Sequence, residues 1–129
     1  MDKESVTLTA AEWNVMECLW EQYPRTGREL TEALEARCGW SRSTTLTLLS
    51  RLESKGAVGT GSAGKVKTFI PLVSREEAAL RETEDLITRA YKGSLSLMVS
   101  AFTKKQALTR GELDELYAIL KEAEGKRDA

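Results

Sequence analysis

The chain has 129 residues, 41% of them hydrophobic and 30% charged, with a formal net charge of −1. No apolar run approaches the roughly 20 residues of a membrane span, and MDKESVTLTA lacks the apolar stretch of a secretion signal, so cytoplasmic residence without membrane insertion is expected. Histidine is absent, the two cysteines lie too far apart for a zinc site, and neither a phosphate-cradling glycine loop nor a nucleophile elbow occurs, which argues against an enzyme, a metal or a cofactor.

The first helix start is a capping box, Thr9 to Glu12, with Leu8 and Trp13 placed as a hydrophobic staple. Trp13, Met16, Leu19 and Trp20 then recur at helical spacing until Pro24 ends the run. Thr26 and Glu29 repeat the box, Leu30, Ala33, Leu34 and Cys38 make the next stripe, and Gly39 is a natural stop. Cys18 and Cys38 are expected to be free thiols, as suits a chain with adequate cores.

The third helix, WSRSTTLTLLSRLESKG, has Ser41 as its N-cap and Gly56 at the left-handed position past its end. Thr45, Leu48, Leu49 and Leu52 fall within about 100° of one another, a core stripe. Ser43, Thr47, Ser50, Arg51 and Ser54 lie opposite, with Thr44 at the edge, and Leu46 falls between the two sides. Serine and threonine are mediocre helix formers, so this face raises the question of which ligand wants hydroxyls and arginines on one rod.

After Gly56, residues 57–61 and 66–71 read as the two strands of a hairpin carrying Lys65 and Lys67, with Phe69 and Leu72 turned inward. Ser74 and Glu77 open a fourth helix with Leu80, Ile87, Ala90 and Tyr91, stopped at Gly93. A short fifth helix spans Ser94 to about Lys104, and Thr109 with Glu112 box a sixth that ends at Gly125. Leu95, Met98, Val99 and Phe102 on the fifth, with Leu113, Leu116 and Leu120 on the sixth, form apolar stripes that need a partner.

Charge is unevenly distributed. Residues 1–35 carry three basic and eight acidic side chains, whereas residues 36–73 carry six basic (Arg37, Arg42, Arg51, Lys55, Lys65, Lys67) and one acidic, Glu53. Such a basic block is where a polyanion would bind. Three helices followed by a hairpin make a winged helix-turn-helix, whose third helix enters the major groove. DNA offers phosphate oxygens, base-edge acceptors and thymine methyls, which Ser and Thr hydroxyls, Arg guanidinium and Thr methyls can meet. The fold class is thus mainly α with a small β-hairpin: a winged helix-turn-helix over 1–73, then a helical dimerisation region over 74–129.

In LTAAEWNVMECLW, STTLTLLSRLESKG and FTKKQALTRGELDELYAIL the chain resembles the BlaI/MecI/CopY repressors of β-lactamase, methicillin-resistance and copper genes, in order and spacing over nearly its whole length. The resemblance implies a homodimer joined through its C-terminal helices, blocking transcription from a palindromic operator. Position by position, it implies base and phosphate contacts by Ser43, Thr44, Thr47 and Arg51, with Arg42 beside them. Ser41 would hold the helix N-terminus, and Lys65 and Lys67 would serve as wing contacts.

There are departures from the family pattern. Relatives often have basic residues where Ser43 and Leu46 stand; Leu46 either packs on a thymine methyl or widens the core, the core reading being favoured, and in both cases the operator sequence of relatives does not transfer. The copper branch ends in a Cys-x-Cys cluster that this chain lacks, which speaks against metal sensing. The β-lactam branch is relieved by a membrane sensor-protease that cuts an Asn–Phe bond; here the matching pair is Ala101 and Phe102. Two other readings stay open at this point: a winged-helix regulator released by a small ligand between the fourth helix and the wing, and a dimeric adaptor that binds no DNA.

Overall fold

A computed structural model of the chain describes residues 6–105 and 108–128. Within them the order is α1 (Ala10–Glu21), β1 (Arg25–Thr26), α2 (Gly27–Cys38), α3 (Arg42–Lys55), β2 (Val58–Ala63), β3 (Val66–Pro71), α4 (Arg75–Tyr91), α5 (Leu95–Lys105) and α6 (Arg110–Asp128). Two compact units result, Met1–Leu86 and Ile87–Ala129. The division therefore falls inside α4, whereas the sequence reading put the border at 73/74.

The first unit is a winged helix-turn-helix. Thr9 and Glu12 close the capping box of α1 reciprocally, and Thr26 and Glu29 do the same for α2, so both helices start where their local hydrogen bonds dictate. Gly56 ends α3 at φ 83°, a left-handed conformation that a side chain would resist, and its amide caps the Glu53 and Leu52 carbonyls. Val15, Met16 and Leu19 of α1 meet Leu30 and Leu34 of α2 and Leu48, Leu49 and Leu52 of α3 in one core, which Val58 and Phe69 close from the sheet side.

The wing has one strand more than a hairpin. Its sheet order is β1-β3-β2, all antiparallel, with Arg25 paired to Phe69 and Thr26 to Thr68. β2 begins and ends later than the 57–61 run, because Ala57 is buried in the core and pairing starts at Val58, opposite Pro71. Gly64 takes φ 65° in the two-residue turn after Ala63, which leaves Lys65 at the tip.

The start of α4 belongs to this unit. Trp20 Nε1 donates to the Val73 carbonyl at 2.9 Å, Arg75 Nε reaches Glu17 at 2.9 Å, and Ala78 is buried. One core reading is overturned. Leu46 is 37% exposed and lies outside the core cluster, because the space beside it stays open between α3 and the wing.

In the second unit, α4 stops at Gly93, whose amide reaches back to the Ile87 carbonyl at 3.0 Å. Ser94 caps α5 by accepting from the Leu97 amide at 3.0 Å. Thr109 and Glu112 box α6 as expected. The helix nevertheless runs past Gly125 to Asp128, since a glycine without positive φ costs a helix only about 1 kcal/mol and does not end it. No helix among the described residues is long and apolar enough to cross a membrane.

Candidate nucleic-acid interface

The interface is built on α3. Its buried side (Thr45, Leu48, Leu49, Leu52) fixes the helix in the core, and everything opposite is exposed: Ser43, Thr47, Ser50, Arg51 and Ser54. At the N-terminus the Ser41 hydroxyl accepts from the Thr44 amide at 3.3 Å and lies 3.1 Å from both the Ser43 and Thr44 hydroxyls. Three hydroxyls thus cluster at the positive end of the helix dipole, where anionic oxygens are best met.

The site residues divide between two flanks of the helix. Ser43, Thr44, Thr47 and Arg51 line a shallow hollow of about 320 Å³ beside Trp40. Arg42, Leu46, Ser50 and Glu53 line a larger one, about 620 Å³, whose far walls are Val66, Lys67 and Phe69 of the wing and Thr26 to Arg28 at the start of α2.

The basic block is smaller than its composition. Arg37 is paired with Glu21, and each partner shifts the other toward its charged form. Lys55 is paired with Glu12, and Lys67 stands 3.6 Å from Glu53 and 5.2 Å from the Phe69 ring centre. Among the described residues Arg42, Arg51 and Lys65 form no ion pair. The Lys67 pair is exposed, so it is worth at most about 1 kcal/mol and yields readily to a phosphate.

Lys55 orients α3 instead. Its ammonium donates to the Thr7 carbonyl at 2.8 Å and to Glu12 Oε1 at 2.5 Å, tying the end of α3 to the start of α1. Glu12 is 1% exposed and its second oxygen has no partner. Burial pushes its carboxyl up, but the Lys55 hydrogen bond and the Thr9 amide together hold it below the ordinary 4.5. A depressed folded value means this stabilisation is complete above the ordinary carboxyl range and is lost as pH falls through the lower folded value. Lys55→Met should strand the buried charge at a cost of about 2–3 kcal/mol, somewhat under that of a fully buried pair. Thermal melts should also show Glu12→Gln flattening the acid limb of the stability profile below pH 4.5. Equal melting of Lys55→Met and wild type would refute the clamp.

The penicillinase repressor family model matches residues 8–122. The chain belongs to the penicillinase repressor family. It is a family of DNA-binding repressors, not of enzymes. The chain is similar to the methicillin resistance regulatory protein MecI of Staphylococcus aureus (strain N315), at 28% identity over 120 residues covering 93% of this chain and 98% of that one. It is also similar to the penicillinase repressor of Bacillus licheniformis, at 29% identity over 125 residues, 97% and 98% of the two chains. The solution structure of the DNA-binding domain of the repressor BlaI matches with a TM-score of 0.53 at 28% identity, covering 60% of this chain and 93% of that domain. The complex structure of hsRosR-S4, at 17% identity, matches 95% of each chain with a TM-score of 0.52 and shares the fold.

For this family member, reading the sequence weighed Leu46 as core or as a thymine-methyl contact and did not single out two further neighbours of the larger hollow, Ser50 and the Thr26 to Arg28 corner. Ser50 was legible, since it shares the exposed arc of Thr47. The corner was not, because only the long-range pairing of Thr26 with Thr68 brings the start of α2 beside the wing.

Proposed function

We propose that this repressor acts as a homodimer on a palindromic operator, each α3 lying in the major groove and each β2–β3 hairpin along the backbone. The observation that carries the reading is the hydroxyl-and-arginine face of α3, held rigid by four buried residues on its other side. Dimerisation through α5 and α6 is supported by the exposure of Leu95, Val99, Phe102, Leu116 and Leu120; Met98 and Leu113 are half-buried within the unit, and Leu97, Tyr117 and Ile119 add to the apolar surface. Surfaces of this kind are rare on soluble monomers. Its relatives include a methicillin resistance regulatory protein and a penicillinase repressor, and by that likeness the regulated genes are resistance genes.

The test is on the recognition face. Arg51→Ala should weaken operator binding about 10–100-fold, and Thr47→Ala by a smaller factor, in fluorescence anisotropy. Both side chains are exposed, so stability should stay within about 0.5 kcal/mol of wild type. A collapse in melting temperature, or unchanged affinity, would defeat the assignment.

Release is proposed to follow cleavage by a membrane sensor-protease at or next to Ala101–Phe102. α5 has 11 residues, too few to be stable without packing, and Phe102 is 56% exposed. Cutting there would detach α6 and its share of the dimer surface. Mass spectrometry of the repressor in cells treated with a cell-wall antibiotic should find the cut chain; a chain that stays whole throughout derepression would leave direct release by a ligand.

A further inference from the structure

Leu46 is the one apolar side chain exposed on α3. Every other exposed position of that helix is Arg, Ser, Thr or Glu, and the remaining leucines, Leu48, Leu49 and Leu52, are buried. Leu46 stands one turn after Arg42 and one turn before Ser50, on the same ridge, and all three line the hollow between α3 and the wing. Its place there is fixed from the side. A Cβ on Gly27 would lie 3.7 Å from Leu46 Cδ2, ordinary van der Waals contact, so the first residue of α2 flanks the leucine without covering it. With 37% of its surface open, Leu46 has an apolar end to offer a ligand.

We infer that Leu46 reads a thymine 5-methyl group in each operator half-site, an assignment that rests on α3 lying in the major groove. The groove edge of every base pair presents donors and acceptors, and its one apolar feature is the thymine methyl. Against a methyl, the leucine end removes apolar surface from water on both partners. Against guanine O6, adenine N6 or cytosine N4, it would displace water and return no hydrogen bond, so those pairs are penalised. The polar neighbours fit this division of labour. Arg42 on one side can reach a phosphate or a guanine and Ser50 on the other a base edge, while Leu46 between them selects by shape and polarity. Val66 faces the same hollow from the hairpin, which tracks the backbone and is remote from base edges.

The test is a uracil scan, since uracil differs from thymine only by that methyl. A duplex footprinted upstream of the protein's own gene is prepared with each thymine replaced in turn by uracil, and affinities are measured for the full-length wild type and Leu46→Ala. At one thymine per half-site, methyl removal should weaken the wild type about 3–10-fold and Leu46→Ala less than about 2-fold. Leu46→Ala should lose a similar factor on the unmodified duplex while its melting midpoint falls by only about 3–6 °C, as suits a partly covered leucine. A scan with no methyl-sensitive thymine, a methyl effect of full size in Leu46→Ala, or a melting collapse that returns Leu46 to the core would each overturn the inference. If the wild type fails to bind any unmodified duplex, the DNA-binding reading itself falls, an outcome distinct from binding that ignores the methyl.

Discussion

Raising the salt from about 50 to 200 mM should loosen the repressor from its operator by about 10³–10⁵-fold. The size follows from the cations that face outward. Arg37 and Lys55 are spent on Glu21 and Glu12 and should release no counterions from DNA. Among the described residues Arg42, Arg51 and Lys65 form no ion pair, and Lys67 is held only by an exposed one, so each copy presents four and the proposed dimer about eight. At about 0.9 counterions per phosphate the logarithmic slope is roughly −7. Lys65→Ala should reduce that slope by about two in the dimer, whereas Lys55→Met should lower stability and leave the slope unchanged. A flat salt response would end the phosphate-contact reading.

Ending the chain at Leu86 should yield a folded monomer that binds the palindrome about 10²–10⁴-fold more weakly. The winged unit keeps its whole core in this truncation, including Ala78 and the Trp20 to Val73 hydrogen bond. What it lacks are α5 and α6, whose exposed leucines and Phe102 are the surface proposed to join two copies. Joined readers bind the second half-site at high effective concentration, and separate ones do not. Light scattering coupled to gel filtration, followed by anisotropy on full and half operators, checks both parts. Tight dimerisation of the short chain would move the dimer surface elsewhere.

What could be read in the sequence was whatever depends on neighbours three or four residues away. The boxes at Thr9, Thr26, Ser74 and Thr109 each satisfy their amides locally, so the helix starts at α1, α2, α4 and α6 were legible. Gly56 was legible for the same reason, because its left-handed conformation closes α3 from within. Most of the misses are long-range. Two residues, Arg25 and Thr26, become a strand only because Thr68 and Phe69 arrive beside them. Nothing within a turn of Lys55 or Lys67 tells that one faces a buried glutamate and the other Glu53. For Leu46 the helical angle favoured the core over a contact with a thymine methyl, and only the gap between α3 and the wing leaves it open. Gly125 misled in the opposite way, since a glycine in a good helical run need not end it.

The clamp between α1 and α3 has a fixed polarity. Glu12 Oε1 receives the Thr9 amide at 2.8 Å as well as the Lys55 ammonium, so one acceptor serves a helix cap and a long-range ion pair at once. Exchanging the two residues, Glu12→Lys with Lys55→Glu, would restore the charge product but place a donor against the Thr9 amide. A charge-swap rescue that works for ordinary surface pairs should therefore fail here, and α1 would fray at its first turn while α3 lost its anchor. Two positions 43 residues apart are in this way bound not only to each other but to one orientation.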